Sequence, residues 1–191
     1  IRSKAALNPS SGWQYVKSLS VSDSAGVSAN YQMKLIVKAG TGTDDPANGI
    51  VYCDNHCSDF PKDIRFGTTD DPETATQLPQ WIETYNSTEA VIWIKLPSDG
   101  SDTIYMFVGN SAATLYSDGD ATFIEFASWE NSLEGWTNAC TGDGEYSFVG
   151  SSEITPIDGD YSLKLYSPAG SNYGKITLDG LGITHDVRML Y

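Results

Sequence analysis

The sequence predicts an all-β protein: an antiparallel, jelly-roll-like β-sandwich followed by a second, partial β-sandwich unit. Three observations predict it. Apolar residues alternate with polar ones over short runs, those runs are bounded by Gly, Pro, Asp and Ser, and only one stretch has any helical character.

The elements follow in order. In "WQYVKSLSV" (13–21), Trp13, Tyr15, Lys17, Leu19 and Val21 fall on one side of an extended chain. "YQMKLIVKA" (31–39) repeats the habit with Tyr31, Met33, Leu35 and Val37, after the turn-rich "SDSAGVSAN" (22–30). "DIRFG" (63–67) is a short strand. "QWIETYN" (80–86), "AVIWIKLP" (90–97) and "TIYMFVGN" (103–110) are separated by "STE" and "SDGSD", which predicts a run of antiparallel neighbours. The lack of polar residues in "AVIWI" predicts cover on both faces of that strand, so Trp93 reads as a core residue, as does Trp81. "IYMFVG" (104–109) is apolar on both faces, the mark of a central strand in a covered sheet. "SAATLYSDGDATFIEF" (111–126) reads as a helical turn before another strand.

The pattern changes near residue 126, which sets domains at 1–126 and 127–191. "EYSFVGS", "YSLKLYSPAG", "YGKITLDGLG" and "HDVRMLY" are further short strands, yet 127–191 is too short for a sandwich of roughly 100 residues. A cut chain, strands supplied by a partner, or packing onto the first half are the expectations. The start at Ile1, without Met, reads as a processed or excised chain.

Charge narrows the partners. Twenty-five acidic against 11 basic residues give a formal charge of −14, with no basic stripe for nucleic acid or anionic membrane. No run approaches the ~18 apolar residues of a membrane helix, so no membrane insertion is expected. The sequon "NST" (86–88) agrees with a secreted setting. Cys53 and Cys57 in "CDNHC" fit a small disulfide loop in an oxidising compartment; zinc, with His56 between the thiols, and free thiols are the other readings. Cys140 is left over.

Five motifs in order carry a resemblance: "GWQYVKSLSV", "KDIRFG", "LPQWIE", "AVIWIKLP" and "DTIYMFVGN", with a closing "DGDATFIEF". Over about 12–126 the chain resembles the family called domain of unknown function 2341. "FASWENSLEGW…DGDYSLKLYS" is similar to the opening of a jelly-roll carbohydrate-binding or concanavalin-like module. The first resemblance implies a β-sandwich with binding or architectural work in large secreted or surface proteins of archaea, bacteria and their viruses, with no established catalytic residues. The second implies structural Ca2+ at Glu130, Asp158 and Asp160.

Other acidic turns, among them Asp118 and Asp120 in "YSDGDA", place carboxylates where calcium is the fitting ion. Aromatic platforms for sugar rings are sought among polar neighbours: Trp136, Tyr146, Tyr166 and Tyr173, with Tyr85 and Tyr116 in the first half. No nucleophile elbow, phosphate loop or persuasive Ser-His-Asp order is present, so no enzyme is expected. The expectation is a non-catalytic extracellular or cell-surface adhesion module, binding a glycan or surface polysaccharide. The alternative is a structural subunit of a surface layer, extracellular filament or virion appendage, whose partners are copies of itself.

Overall fold

The structure, a computed structural model, describes residues 7–21, 30–97, 103–156, 159–167 and 173–178. The predicted "SDGSD" turn, most of the "SDSAGVSAN" loop, the "HDVRMLY" strand and Asp158 lie outside the described residues. The chain forms two compact units, Ile1–Ile124 and Glu125–Tyr191.

The first unit is an all-β sandwich. Its strands are β1 (Tyr15–Ser20), β2 (Gln32–Lys38), β3 (Ile50–Tyr52), β4 (Arg65–Gly67), β5 (Gln80–Tyr85), β6 (Glu89–Lys95) and β7 (Thr103–Val108). One layer has three strands in the order β1-β7-β4, and the other has four in the order β3-β2-β6-β5. All described pairs in the two layers are antiparallel except β2 with β3. The expected run of consecutive neighbours holds for β5 and β6 only: β7 leaves that sheet to become the centre of the other.

Period-2 alternation builds the core between the layers. Leu35, Val37, Ile82, Ala90, Ile92 and Ile94 face Phe66, Ile104, Met106 and Val108 in one buried cluster. The other face of the three-stranded sheet is covered as well. There Phe107 packs with Leu7 and Ala75, and Trp13 and Tyr105 close the edge. Both faces of β7 are therefore apolar because both are buried.

Polar staples hold the layers in register. Arg65 is only 2% exposed and has no carboxylate partner among the described residues. Its guanidinium donates to the backbone carbonyls of Asn8, Lys62, Ile64 and Thr114. It also stands over the rings of Trp13 and Tyr116, at 5.8 and 5.3 Å from their centroids. Burial pulls its pKa below the usual arginine value, while Tyr116 and Asp63 push the other way. Two residues earlier, buried Asp63 accepts hydrogen bonds from the backbone N–H groups of Ser58 and Gly109. Gly109 has φ +85°, and a Cβ there would stand 3.0 Å from the His56 carbonyl, so only glycine suits the position. Asn110 then donates to Ser11 O, tying the N-terminal segment down.

Lys17 fastens the seam between the layers. It reaches Asp54 at 3.0 Å, Asp44 at 3.3 Å and Tyr52 O at 2.6 Å, while Asp44 accepts from Tyr52 N–H. The free edge of β5 is blocked by the 116–118 segment, through Asp118 N–H to Gln80 O and Ile82 N–H to Ser117 Oγ. The expected helical turn is present as α1 (Gly119–Thr122), capped by the Asp118 side chain, but residues 123–126 after it form no strand.

The second unit contains β8 (Thr137–Asn138), β9 (Glu145–Gly150), β10 (Tyr161–Tyr166) and β11 (Ile176–Thr177), paired as two separate two-stranded sheets, β9 with β10 and β8 with β11.

Two consequences are testable. Arg65→Met strands four carbonyls and removes two ring contacts; it is expected to cost about 2–4 kcal/mol in a urea titration, and Arg65→Lys to recover little, since one ammonium cannot replace the planar fork. For Lys17, burial lowers the pKa but the two carboxylates, Asp54 then Asp44, raise it above 10.5 overall. A raised folded-state value means the contribution is complete below 10.5 and fades as pH climbs through that higher value. Lys17→Met is expected to lose on the order of 1 kcal/mol near neutrality, and the gap to wild type to close in strong alkali.

Candidate functional surface

The outer face of the four-stranded sheet brings polar and aromatic side chains together. Trp93 projects there, opposite Trp81 on β5 and Lys34 on β2. Trp81 is 4% exposed and buried as expected, whereas Trp93 is only half-buried. Phe123, just past α1, packs against both indoles, at 5.5 Å from Trp81 and 5.7 Å from Trp93. The Trp93 N–H donates to Glu83 Oε2 at 2.6 Å, which fixes the plane of the ring. A β-bulge between Ile82 and Thr84 accompanies that bond, with Glu83 at the irregular position.

The β5 side of the indole is thus covered, and the β2 side carries charge. Lys34 is exposed, its Nζ 5.9 Å from the Trp93 ring centroid. Lys95, two residues beyond Trp93 on the same face, lies opposite Gln32. Among the described residues neither Lys34 nor Lys95 is in an ion pair, whereas Lys38 at the far end of β2 is bound to Glu89. Half-buried Ile36 and Val91 lie between the two ends. This surface offers an aromatic ring, an apolar strip, two ammonium donors, an amide and a carboxylate.

The residues singled out in the sequence are distributed differently. Tyr85 is 56% exposed at the end of β5. Tyr116 lies over Arg65 and is half-buried, and burial raises its pKa. In the second unit Trp136 packs on Trp129 at 5.8 Å, with its indole nitrogen buried and unbonded among the described residues. Tyr146 lies edge-on to Phe148 within the hairpin. Tyr166 and Tyr173 are both about half exposed, at 52% and 48%, and a Cβ on Gly174 would run into the Tyr166 backbone.

Two of the acidic candidates, Asp118 and Glu130, accept main-chain hydrogen bonds. Asp118 Oδ1 accepts from Ala121 N–H, and Asp120 is exposed in the first turn of α1. Glu130 Oε1 accepts from the backbone N–H groups of Asp160 and Tyr161, so it meets Asp160 through main-chain donors. Among the described residues no three His, Cys, Asp or Glu side chains converge to hold a metal ion. Cys53 and Cys57 are free thiols that pack in the same core cluster.

Sequence reasoning passed over Lys34 and Lys95 as site residues. The signal for them was the alternation of β2 and β6, but only the register puts Lys34 across from Trp93. Residues 60–139 match the family model described as Domain of unknown function (DUF2341). No curated protein and no solved structure matches the chain.

Proposed function

We propose that the chain is a non-catalytic, glycan-binding module of an extracellular or cell-surface protein, which holds a sugar ring on the outer face of the four-stranded sheet beside Trp93. The observation that carries this reading is the juxtaposition of Trp93, Lys34 and Glu83 on one open face. A sugar ring presents an apolar C–H face and a rim of hydroxyls, so it needs a flat apolar partner flanked by donors and acceptors. The indole supplies the first. Lys34 and Lys95 supply donors, and Glu83 Oε1 remains to accept while Oε2 holds the indole. The formal charge of −14 favours ligands other than nucleic acid.

Affinity electrophoresis through neutral and acidic polysaccharides, with and without calcium, tests the reading. Trp93→Ala and Lys34→Ala are each expected to weaken retention, Trp93→Ala about tenfold, or ~1.4 kcal/mol. Lys34 is exposed, so its variant folds normally and isolates binding from stability. Retention lost only in Tyr166→Ala or Tyr173→Ala moves the site to the second unit, and no retention on any polysaccharide removes the reading.

A second reading, assembly through copies of the chain, is favoured by the β9–β10 hairpin. One face of it carries Tyr146, Phe148, Tyr161, Leu163 and Leu165, with Leu165 45% exposed. An isolated two-stranded sheet is marginal in water, so this face gains from a covering strand or sheet. Light scattering across concentration is expected to show growing particles for the wild type and a smaller species for Leu165→Lys if assembly is the work; a monomer throughout ends that reading.

A further inference from the structure

We propose that Cys53 and Cys57 are a redox-active dithiol that closes into a disulfide across a five-residue loop, locking that loop against the buried Asp63 carboxylate. The backbone already shapes the loop for closure. Cys53 is anchored to β2 by its N–H to Lys38 O, at 2.8 Å. Asp54 and Asn55 follow with φ of 55° and 62°, and His56 N–H returns to Cys53 O at 2.9 Å. Positive φ at both central residues makes this a type I′ turn, the tightest reversal that Asp and Asn tolerate readily. The reversal returns the chain so that Cys57 packs against the same core cluster as Cys53.

The surroundings are built to hold this pair. Cys53 is 2% exposed and belongs to the inter-sheet core, and Cys57 packs against the same cluster from its rim. Asp63 is fully buried: Oδ2 accepts from two backbone N–H groups, and Oδ1 has no hydrogen-bond partner among the described residues. The Cys57 thiol stands beside that carboxylate, and its pKa is pushed up by the Cys53 thiol, by burial and by the Asp63 charge. His56, at the tip of the loop, stacks flat on Tyr15 of β1, with centroids 3.7 Å apart and planes 4° apart. A cross-link between residues 53 and 57 therefore steadies the contact between the loop and the edge strand of the three-stranded sheet.

The step balances with a small disulfide as oxidant. Cys57, the more accessible thiol, loses its proton to water and attacks one sulfur of the oxidant, releasing one small thiol and leaving a mixed disulfide. Cys53, deprotonated in turn, attacks Cys57 Sγ; the second small thiol leaves as the Sγ–Sγ bond forms. Two electrons pass from the protein to the small disulfide. Because the Cys53 thiol, burial and the Asp63 charge raise the Cys57 pKa, the closure is slow at neutral pH and quickens as pH climbs towards that value.

The experiment uses the full chain as Cys140→Ser, which removes the third thiol. Folded protein is exposed to oxidised glutathione, denatured, treated with maleimide and digested with trypsin. No Lys or Arg lies between Lys38 and Lys62, so one peptide, 39–62, carries both cysteines. The expected product is that peptide about 2 mass units lighter, with no maleimide or glutathione attached. Its formation should accelerate with pH, and reducing it should lower the melting temperature by roughly 5 °C. A peptide that ends with maleimide on both sulfurs, or with glutathione on either, overturns the proposal.

Discussion

The first unit depends on a guanidinium buried without an ion-pair partner among the described residues. Arg65 lies on the outer face of the three-stranded sheet, where a charged side chain would be unaffordable if left bare. Four backbone carbonyls and two aromatic rings substitute for the water it lost. Those groups come from the N-terminal segment, the turn before β4 and the segment after β7, so satisfying one side chain fixes three separate pieces of chain. Asp63 acts in the same way on the opposite side of the strand entry, tying Ser58 to Gly109. The three-stranded sheet then has a second core, around Phe107 and Leu7, that a lone sheet of this size would lack.

With that layer covered on both faces, the four-stranded sheet is left to present an outer surface. The burial of β6 alternates residue by residue: the inner positions are fully buried and the outer ones half-buried. Glu83 and Phe123 orient Trp93 from the β5 side while β2 contributes only Lys34, Ile36 and Lys38 beside it. The asymmetry follows from the chain after β7, which folds back along β5 and not along β2.

Much of this was legible in the sequence, and the rest failed for identifiable reasons. Six of the strands in the first unit were legible, β1 and β2 through alternation and the others as short apolar runs bounded by turn residues. The seventh, Ile50–Tyr52, is three residues long and pairs in parallel, so it has neither enough alternation nor a hairpin turn to announce it. The partner of β7 was also hidden, since sheet membership is decided by contacts distant in sequence, such as Arg65 opposite Phe107. Trp93 shows the same limit at the site. "AVIWI" says that both faces are apolar, but whether the second face is fully covered depends on Phe123, thirty residues further on. The polar partners of Trp93, Glu83 and Lys34, are set by a bulge and a register, neither of which a single strand encodes.

The motif residues can be sorted by what packing demands of them. Asp63 and Arg65 are staples, Phe66 and Ile82 are core, and Trp81 is buried against Phe123. Glu83 orients Trp93, Gly109 turns the chain at positive φ, and Asn110 secures the N-terminal segment. Lys95 is different. It sits on the outer face beyond Trp93, with no ion pair among the described residues. On an edge strand a lysine of this kind would serve to discourage pairing, but β6 is central, with β2 and β5 on either side. That explanation therefore does not apply to Lys95, and under the proposed reading its ammonium would serve a ligand resting on the indole.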